Sequence, residues 1–439
     1  MPKDSPTIAH ADPWRQRDRR VFRDVEHGFQ TVGVSGEHAH FAALAHQSSA
    51  QFVDRGDGAA IVEGRIERRH DVQNLHAGRL ANELWYSRST SDPHSAMSAQ
   101  LRRKVVLVTS GLGTAHGGIG VVSQSILKAL AGEHEVSLWR HPVALPRLLR
   151  KAVFAARALL PSLQTPDFIF YEHVHLAAIH HLLPRLSGVP YGVFLHGIEV
   201  WEPLVSRRRE ALLRANILVS NSATTVAAAR AVNPWLPEVK VTWLGVPRRE
   251  STVRAGELPP LGLIVGRMAS VERLKGHDPV LDAWPEIRAL IPDARLLIVG
   301  GGNDLARLKR RVLNEQIAGV EFLGRLSDRE RDQLYERSRL FFFPSKQEGF
   351  GLAGVEAAAA GVPAMGLAGT VMSELFPREA AILIDDLLAS TIARAAVRVL
   401  SDCDYANTVG AAARKHVEEN FLEEHFIARF QAALKPLLQ

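Results

Sequence analysis

Two glutamates eight positions apart carry the clearest chemical signal in this sequence. Glu348 and Glu356 enclose a turn that contains three glycines. The apolar run of residues 340–343 precedes the turn and the alanines of residues 357–360 follow it, which predicts a buried strand, the turn and a closely packed helix. Backbone N–H groups at the start of such a helix can hold phosphate. The segment therefore offers an anion cradle at residues 349–351 and two acceptors for hydroxyl groups, a combination that suits a sugar nucleotide.

Two cations follow an earlier predicted strand. Arg267 follows the apolar run of residues 263–265 and one glycine, and Lys275 lies eight positions later, before an amphipathic helix. Arginine can engage two phosphate oxygens at once, and lysine acts as a compact point charge. The pair therefore suits a diphosphate. The plainer alternative makes both of them solvated surface residues, with Glu356 complementing a helix dipole and Glu348 in a solvated loop.

A second glycine-rich turn follows the first convincing strand. It opens with Gly111-x-Gly113, which resembles a dinucleotide fingerprint, but His116 occupies the place of the third glycine. Such a near-match is weak on its own. Arg140, at the end of the next predicted strand, leaves an NADP-dependent oxidoreductase as an alternative function. The other use of these glycines is to let a substrate and its phosphate approach the backbone closely.

Histidines gather in the predicted first domain. His196 closes a predicted strand, where a side chain that titrates near neutral pH can hydrogen-bond a sugar hydroxyl or a leaving phosphate. A structural or solvent-facing role for His196 is the alternative. Four further histidines lie close together in the sequence: His173, His175, His180 and His181. They lack an acidic partner and a clean metal-ligand spacing, so we expect surface or acceptor-pocket histidines rather than a metal site.

Composition restricts the class of protein. A length of 439 residues, with 46% hydrophobic and 23% charged residues, is typical of a soluble globular chain with two or three domains. The net charge of +6 and the pI of about 9.6 favour phosphorylated or anionic lipid ligands, since no zinc-ligand pairs or mixed basic and aromatic clusters indicate nucleic-acid binding. The single Cys403 fits a reducing, cytoplasmic compartment. No apolar run reaches the roughly 20 residues of a membrane span.

Two segments have a distinctive composition. Residues 1–100 are rich in polar residues and lack a sustained period, which predicts a poorly ordered or appended segment, with a regulatory arm as the alternative. We also hypothesise that the functional protein starts at Met97. The segment 145–160 combines four basic residues with many apolar ones. That pattern is typical either of a helix that lies on an anionic membrane or of an ordinary domain helix.

From residue 104 onward, predicted strands alternate with predicted helices. The alternation occurs twice, so we predict an α/β fold with two tandem Rossmann-like domains at residues 101–250 and 251–415. The segment 246–260 contains three prolines and is typical of a linker. The chain from about residue 401 to residue 439 is predicted to be helical throughout, with residues 416–439 as the last helix. Ligands of such sheets bind beyond the carboxyl ends of the strands, so we expect a ligand in a cleft between the domains. The predicted strands lie at residues 105–108, 136–139, 168–171, 191–195, 217–219, 263–265, 295–299, 320–323, 340–343, 362–365 and 381–384.

Together these motifs resemble the retaining GT-B glycosyltransferases of glycosyltransferase family 4, many of which make bacterial lipopolysaccharide, exopolysaccharide and glycolipid. The resemblance runs from residue 104 to the C-terminus. It rests on the paired-glutamate segment, on Arg267 with Lys275, and on His196, in their usual order. It implies a second domain that holds a nucleotide-diphosphate sugar, a first domain that holds most of the glycan or lipid-linked acceptor, and a last helix that crosses back onto the first domain.

The resemblance also implies roles for single residues. His196 and Glu348 would be the catalytic residues, with His196 at a hydroxyl near the anomeric carbon and Glu348 facing the donor sugar. Glu356 would bind the ribose hydroxyls, and the backbone around Arg325 would meet the base. The two cations would contact the diphosphate. The backbones of five further residues would hold the sugar and its phosphates: Gly118, Gly349, Phe350, Gly351 and Leu352.

Two features depart from the family pattern. The step from Arg267 to Lys275 is longer than usual, and residues 368–374 only partly follow the usual glycine-glycine-x-proline-glutamate pattern. We expect a cytoplasmic enzyme, peripheral at the inner membrane face, that uses no cofactor and no metal, because the cations and helix N-termini can stabilise the leaving diphosphate. The sequence leaves open whether Glu348 is a nucleophile or the acceptor attacks from the leaving-group face. A sugar-nucleotide-binding protein without activity is the non-enzyme alternative.

Overall fold

The computed structural model describes residues 102–140, 165–204, 206–249 and 258–438. Three of the predictions lie outside these residues: the appended segment at residues 1–100, the start at Met97 and the basic segment at residues 145–160. The described chain forms two parallel sheets with helices packed against them. Among the described helices, none combines the length and the apolar character needed to cross a membrane.

The first sheet is built from short apolar runs. Its strands are β1 (Lys104–Thr109), β2 (Glu135–Arg140), β3 (Phe168–Tyr171), β4 (Tyr191–Leu195), β5 (Ile217–Ser220) and β6 (Val239–Val241). They lie in the order β2-β1-β3-β4-β5-β6, all parallel. Strands β3 and β4 are buried throughout, as expected for the centre of a sheet that helices cover on both faces. The helices of this half are α1 (Gly117–Glu133), α2 (Val174–Ala177), α3 (Arg207–Leu213) and α4 (Ala223–Val232).

The second sheet repeats the plan. Its strands are β7 (Leu261–Val265), β8 (Arg295–Val299), β9 (Val320–Gly324), β10 (Leu340–Phe343), β11 (Ala364–Leu367) and β12 (Ile382–Ile384). They lie in the parallel order β12-β11-β10-β7-β8-β9. The helices that follow in the chain are α5 (His277–Leu290), α6 (Leu305–Asn314), α7 (Asp328–Arg337), α8 (Leu352–Ala359), α9 (Val371–Leu375), α10 (Ala389–Ser401), α11 (Cys403–Asn420) and α12 (Glu423–Leu438). The predicted α/β class with two tandem Rossmann-like sheets is confirmed.

Every predicted strand is present, with ends that shift by two residues at most. The apolar runs therefore predict the positions of these strands accurately. The sequence analysis missed β6, because this edge strand has only three residues and only its first, Val239, is buried.

The expectation of an unbroken helical C-terminus from residue 401 is wrong. The chain leaves the helix at Phe421 and Leu422, between α11 and α12. Here the backbone pairs with the linker instead: the N–H of Val246 donates to the Phe421 carbonyl at 2.8 Å, and the N–H of Glu423 donates to the Val246 carbonyl at 2.9 Å. Phe421 and Leu422 are each 1% exposed, so burial adds to these hydrogen bonds.

Helix α12 packs against α1, in the first half of the protein. Lys128 forms an ion pair with Glu423 at 2.8 Å, and the side-chain amide of Gln431 donates to the Ala129 carbonyl at 2.9 Å. Phe430 meets Phe170 of β3 edge to face, with ring centroids 5.0 Å apart. The end of the chain is therefore part of the core of the first half.

A second contact between the halves centres on Glu374 of α9. Its carboxylate accepts hydrogen bonds, all at 2.7 Å, from the backbone N–H groups of Ala223 and Thr224, the Thr224 hydroxyl and the Trp243 indole N–H. Because Ala223 and Thr224 open α4, the carboxylate also lies at the positive end of the helix dipole. Glu374 therefore links α9, in the second half, to the start of α4, in the first half, through hydrogen bonds.

We predict that Glu374→Ala destabilises the protein by about 2–4 kcal/mol, because several hydrogen bonds to one charged acceptor are lost together. Urea unfolding followed by circular dichroism measures the change. Glu379→Ala, at an exposed position nearby in the sequence, is the matched control and should leave the midpoint unchanged. Equal midpoints for the two variants would show that the hydrogen bonds to Glu374 do not stabilise the protein.

Candidate functional site

The carboxyl edges of the two sheets face each other and come into contact at Gly349. Its carbonyl accepts hydrogen bonds from the Ser222 hydroxyl at 2.6 Å and the Thr225 hydroxyl at 3.1 Å, across the boundary between the halves. A Cβ atom at position 349 would lie 2.0 Å from the carbonyl oxygen of His196. Only glycine fits there, so the predicted glycine turn is where the two halves touch.

Three helices begin at this boundary without a side-chain cap. Helices α1, α5 and α8 follow β1, β7 and β10, and no side chain among the described residues hydrogen-bonds their first N–H groups in the N-cap role. Two other helices show the contrast: Ser222 caps α4 and Ser327 caps α7. Uncapped helix starts present free N–H groups and the positive end of the helix dipole, and both attract anions.

Charged side chains form a continuous chain beside these helix starts. Arg267, after β7, donates from Nε to Glu272 at 3.2 Å and also binds it through Nη2. Lys275 lies 3.9 Å from Glu272 and 3.4 Å from Glu348. The structure thus brings both predicted cations and one predicted glutamate together. The sequence analysis missed Glu272, although the unusually long step between the cations was the signal that pointed to it.

Glu356 lies in α8 and has two partners on α7. The Tyr335 hydroxyl donates to it at 3.0 Å, and Arg331 Nε lies 3.4 Å away. Burial raises the pKa of the Glu356 carboxyl above its usual value, while Arg331 and the Tyr335 hydrogen bond act in the opposite direction. Glu356 is the fifth residue of its helix, beyond the first turn where a helix dipole acts. The dipole alternative therefore does not explain its position.

His196 follows β4 and is held at three points. Its ring Nε2 lies 2.7 Å from the Glu172 carbonyl, its backbone N–H donates to Glu199 at 2.5 Å, and its ring stacks on His173 with centroids 5.9 Å apart. A carbonyl only accepts, so Nε2 carries the proton. In the neutral ring, Nδ1 is therefore left as the acceptor, which suits a hydroxyl donor.

Glu172, which the sequence analysis missed, is a buried carboxylate that organises the first half of the site. It is 1% exposed and accepts hydrogen bonds from the Thr109 hydroxyl, from Ser110 through both N–H and hydroxyl, and from the Ser123 hydroxyl. These donors come from the end of β1 and from α1. Glu172 therefore fixes the glycine turn, and its carbonyl orients His196.

The remaining predicted residues lie around the same boundary. Gly118 is exposed in the first turn of α1, and a Cβ atom there would meet no described heavy atom within 4 Å. Phe350 is 2% exposed, so only its backbone is available to a ligand, and Gly351 has a left-handed φ of 88°. Leu352 opens α8 and is half-buried. Arg325 is exposed, with Nε 3.4 Å from where a Cβ of Gly301 would lie.

The four clustered histidines divide into two pairs. His173 and His175 stack on each other near His196, with ring centroids 4.6 Å apart. His180 and His181 contact tyrosines of the core instead, with the Tyr171 hydroxyl 2.9 Å from His180 Nδ1. Within the described ranges, no group of three or more His, Cys, Asp or Glu side chains is placed to hold a metal ion.

The chain is similar to known glycosyltransferases in sequence and in fold. Residues 252–416 match the family model described as glycosyl transferases group 1. A GDP-mannose-dependent alpha-(1-6)-phosphatidylinositol monomannoside mannosyltransferase from Mycolicibacterium smegmatis is 26% identical over 366 residues, which cover 72% of this chain and 94% of that protein. A phosphatidyl-myo-inositol mannosyltransferase from Propionibacterium freudenreichii subsp. shermanii is 32% identical over 43% of this chain and 44% of its own.

A related GDP-mannose-dependent mannosyltransferase from Corynebacterium glutamicum is 31% identical over 33% of this chain and 39% of its own. The chain thus matches about two fifths of the length of the relatives from Corynebacterium glutamicum and Propionibacterium freudenreichii. Sucrose-phosphate synthase from Thermosynechococcus elongatus shares the fold, with a TM-score of 0.63, 19% identity, and coverage of 76% of this chain and 99% of that one. Anabaena HepE, solved with UDP and glucose, gives a TM-score of 0.60 at 17% identity, covering 76% and 100%. The predicted resemblance to the GT-B glycosyltransferases and the predicted GT-B fold are confirmed.

Buried neutral histidines make the stability depend on pH. Burial lowers the pKa of His180 and of His277 to about 4, from an ordinary value of 6.5. Between those values the unfolded chain binds protons that the folded chain does not. The stabilisation that the two neutral histidines give to the folded protein is therefore complete above pH 6.5 and is lost as the pH falls toward 4.

We predict that each of these histidines lowers the free energy of unfolding by about 2 kcal/mol as the pH falls from 7 to 5. Urea unfolding at a series of pH values measures the slope. In His180→Phe, the free energy of unfolding should change less with pH, because only His277 of the pair remains to bind a proton on unfolding. This difference in slope is expected whatever the stability of the variant at pH 7. A slope identical to that of the unmodified protein would contradict the prediction.

Proposed function

We propose that this chain, whose fold and family match are those of the GT-B glycosyltransferases, transfers a sugar from a nucleotide-diphosphate sugar to a hydroxyl of a glycan or lipid-linked acceptor. The observation that carries the proposal is the meeting of Arg267, Lys275 and the uncapped start of α8 at the boundary between the sheets. Adjacent cations and a helix N-terminus match the charge and size of a diphosphate.

In this proposal the second half of the protein holds the donor. Arg267 and Lys275 bind the diphosphate, and Glu356 accepts hydrogen bonds from the ribose hydroxyls. The base lies by the backbone around Arg325. The backbones of residues 349–352 hold the sugar and its phosphates. The first half contributes the start of α1 at Gly118 and the acceptor side of the cleft.

The reaction breaks the bond between the anomeric carbon and the phosphate oxygen, and the electron pair stays on the departing nucleoside diphosphate. The acceptor hydroxyl forms the new bond to carbon, and its proton is released to water. Negative charge grows on the diphosphate, where Arg267, Lys275 and the helix N-termini stabilise it. This stabilisation supports a reaction that needs no metal ion. We propose that the anomeric configuration is retained, with His196 and Glu348 acting on the donor sugar from opposite sheets.

The relatives support a lipid-linked acceptor. The three mannosyltransferases described above are all named for phosphatidylinositol or its mannosides. We therefore place this chain in the synthesis of cell-surface polysaccharide or glycolipid, at the cytoplasmic face of the membrane. Its net charge of +6 favours contact with anionic lipid.

The geometry argues against the NADP alternative. A Cβ atom at Gly111 would lie 2.2 Å from the ring of His116, so the histidine fills the space beside the turn that a dinucleotide would approach.

We predict that a nucleotide-diphosphate sugar raises the melting temperature in a thermal-shift panel of UDP-glucose, UDP-N-acetylglucosamine, GDP-mannose and NADPH. A ligand at about 100 times its dissociation constant adds about 2.7 kcal/mol to the folded state. Glu356→Ala should lose most of this shift. A shift with NADPH alone would contradict the function. Binding of a donor without transfer or hydrolysis would favour the non-enzyme alternative.

We predict that Gly118→Ala keeps the stability of the protein but weakens donor binding at least tenfold. The new methyl group has room in the folded protein, and alanine favours a helix by about 1 kcal/mol over glycine. The methyl group would, however, occupy the space proposed for the diphosphate. Calorimetric titration with UDP and GDP measures the affinity.

Gly120→Ala is the contrasting variant. There a Cβ atom would lie 2.3 Å from the Gly113 carbonyl, so this variant should lose stability. If Gly118→Ala binds every nucleotide as well as the unmodified protein does, the start of α1 does not contact the diphosphate.

A further inference from the structure

Glu272 already provides a carboxylate to the two cations that we assign to the donor. Its side chain is 8% exposed, whereas that of Arg267 is 63% exposed. Glu272 holds Arg267 through Nε and Nη2 and lies 3.9 Å from Lys275. With Glu348 on the other side of Lys275, two positive and two negative charges balance in this cluster before any ligand binds.

The backbone that carries Glu272 is anchored. Glu272 belongs to the short 3-10 segment Ser270–Lys275 and has the only non-helical backbone angles in it, with φ −121° and ψ 31°. The N–H of Ser270 donates to the Asn303 side chain at 2.8 Å, and the N–H of Lys346 donates to the Leu274 carbonyl at 2.8 Å. The carboxylate therefore stays beside the cations when a ligand arrives.

Arg267 and Lys275 keep donors for a second anion. Glu272 takes one edge of the guanidinium, and a guanidinium has five N–H groups on two usable edges. Lys275 has three N–H donors and two carboxylate neighbours. A diphosphate can thus bind without displacing Glu272, but it then shares the same cations with a fixed negative charge.

Two effects of Glu272 on a bound diphosphate oppose each other. Holding Arg267 in place saves the entropy cost of ordering one exposed side chain. Repulsion between a carboxylate and a diphosphate a few ångströms apart is the larger effect, because the two anions carry full charges in a partly buried site. The net effect is weaker binding of the diphosphate.

We propose that Glu272 is an internal counter-anion, which holds Arg267 in place and limits how tightly the site retains the nucleoside diphosphate product. The inference rests on the proposed function. Cleavage of the donor leaves an additional negative charge on the terminal phosphate, so the cations attract the product more strongly than the donor. A neighbouring carboxylate opposes that gain and speeds product release.

The test uses Glu272→Gln, which keeps the size of the side chain and removes its charge. We expect UDP, GDP and inorganic pyrophosphate to bind about tenfold more tightly by calorimetric titration, for whichever nucleotide the unmodified protein binds. Product inhibition should strengthen by the same factor, and kcat should fall when release limits turnover. Glu272→Asp, which restores the charge, should return the affinity toward that of the unmodified protein.

Controls separate this inference from the proposed function. Glu321→Gln removes a carboxylate that is paired with Arg295 at 3.0 Å on the far edge of the sheet, and it should leave nucleotide affinity unchanged. If Glu272→Gln does not fold, Glu272→Ala provides the same neutral site. Unchanged or weaker binding in the neutral variants would overturn the counter-anion role.

A different result would overturn the proposed function itself. If Arg267→Ala and Lys275→Ala bind the nucleotides and pyrophosphate as the unmodified protein does, the cations do not form the diphosphate site. The absence of nucleotide and pyrophosphate binding in both the unmodified protein and Glu272→Gln would overturn both proposals.

Discussion

The contact of two sheet edges across a single glycine is the constraint on which the rest of this structure depends. At Gly349 the backbone of one half lies against the His196 carbonyl of the other, with two hydroxyls from the start of α4 hydrogen-bonded to it. A side chain at that position would separate the halves. Because the sheets meet there, the helix starts and cations of one half face the histidine and glycine turn of the other.

Charge compensation is the second feature that shapes the site. Three carboxylates near the cleft have different kinds of partner. Glu172 is surrounded by hydroxyl and N–H donors, Glu356 by a tyrosine and an arginine, and Glu272 by two cations. Since partners determine how much of a charge remains for a ligand, we propose separate roles for these three similar side chains, in stability, recognition and release.

The sequence allowed much of this to be predicted, for physical reasons that differ between elements. Central strands such as β3 and β10 are buried on both faces, so their apolar runs identify them. Edge strand β6 lacks that signal, and the break at Phe421 depends on pairing with a distant linker residue. Glu348 and the cations were found because they lie beside glycine turns. Glu172 and Arg331 were missed because their partners come from other segments, and no local pattern records such contacts. The roles of the site residues remain predictions.

The crossing of α12 onto α1 has a consequence for how the chain is divided. Phe430 packs against Phe170 of the first sheet, and Gln431 bonds to Ala129 of α1; both of these partners precede the linker by many residues. Cutting the chain at the linker would therefore expose an apolar face on the amino-terminal fragment. The carboxyl-terminal fragment would carry α12 without the surface against which it packs. The first Rossmann unit is discontinuous in sequence, and it is complete only when α12 has been synthesised.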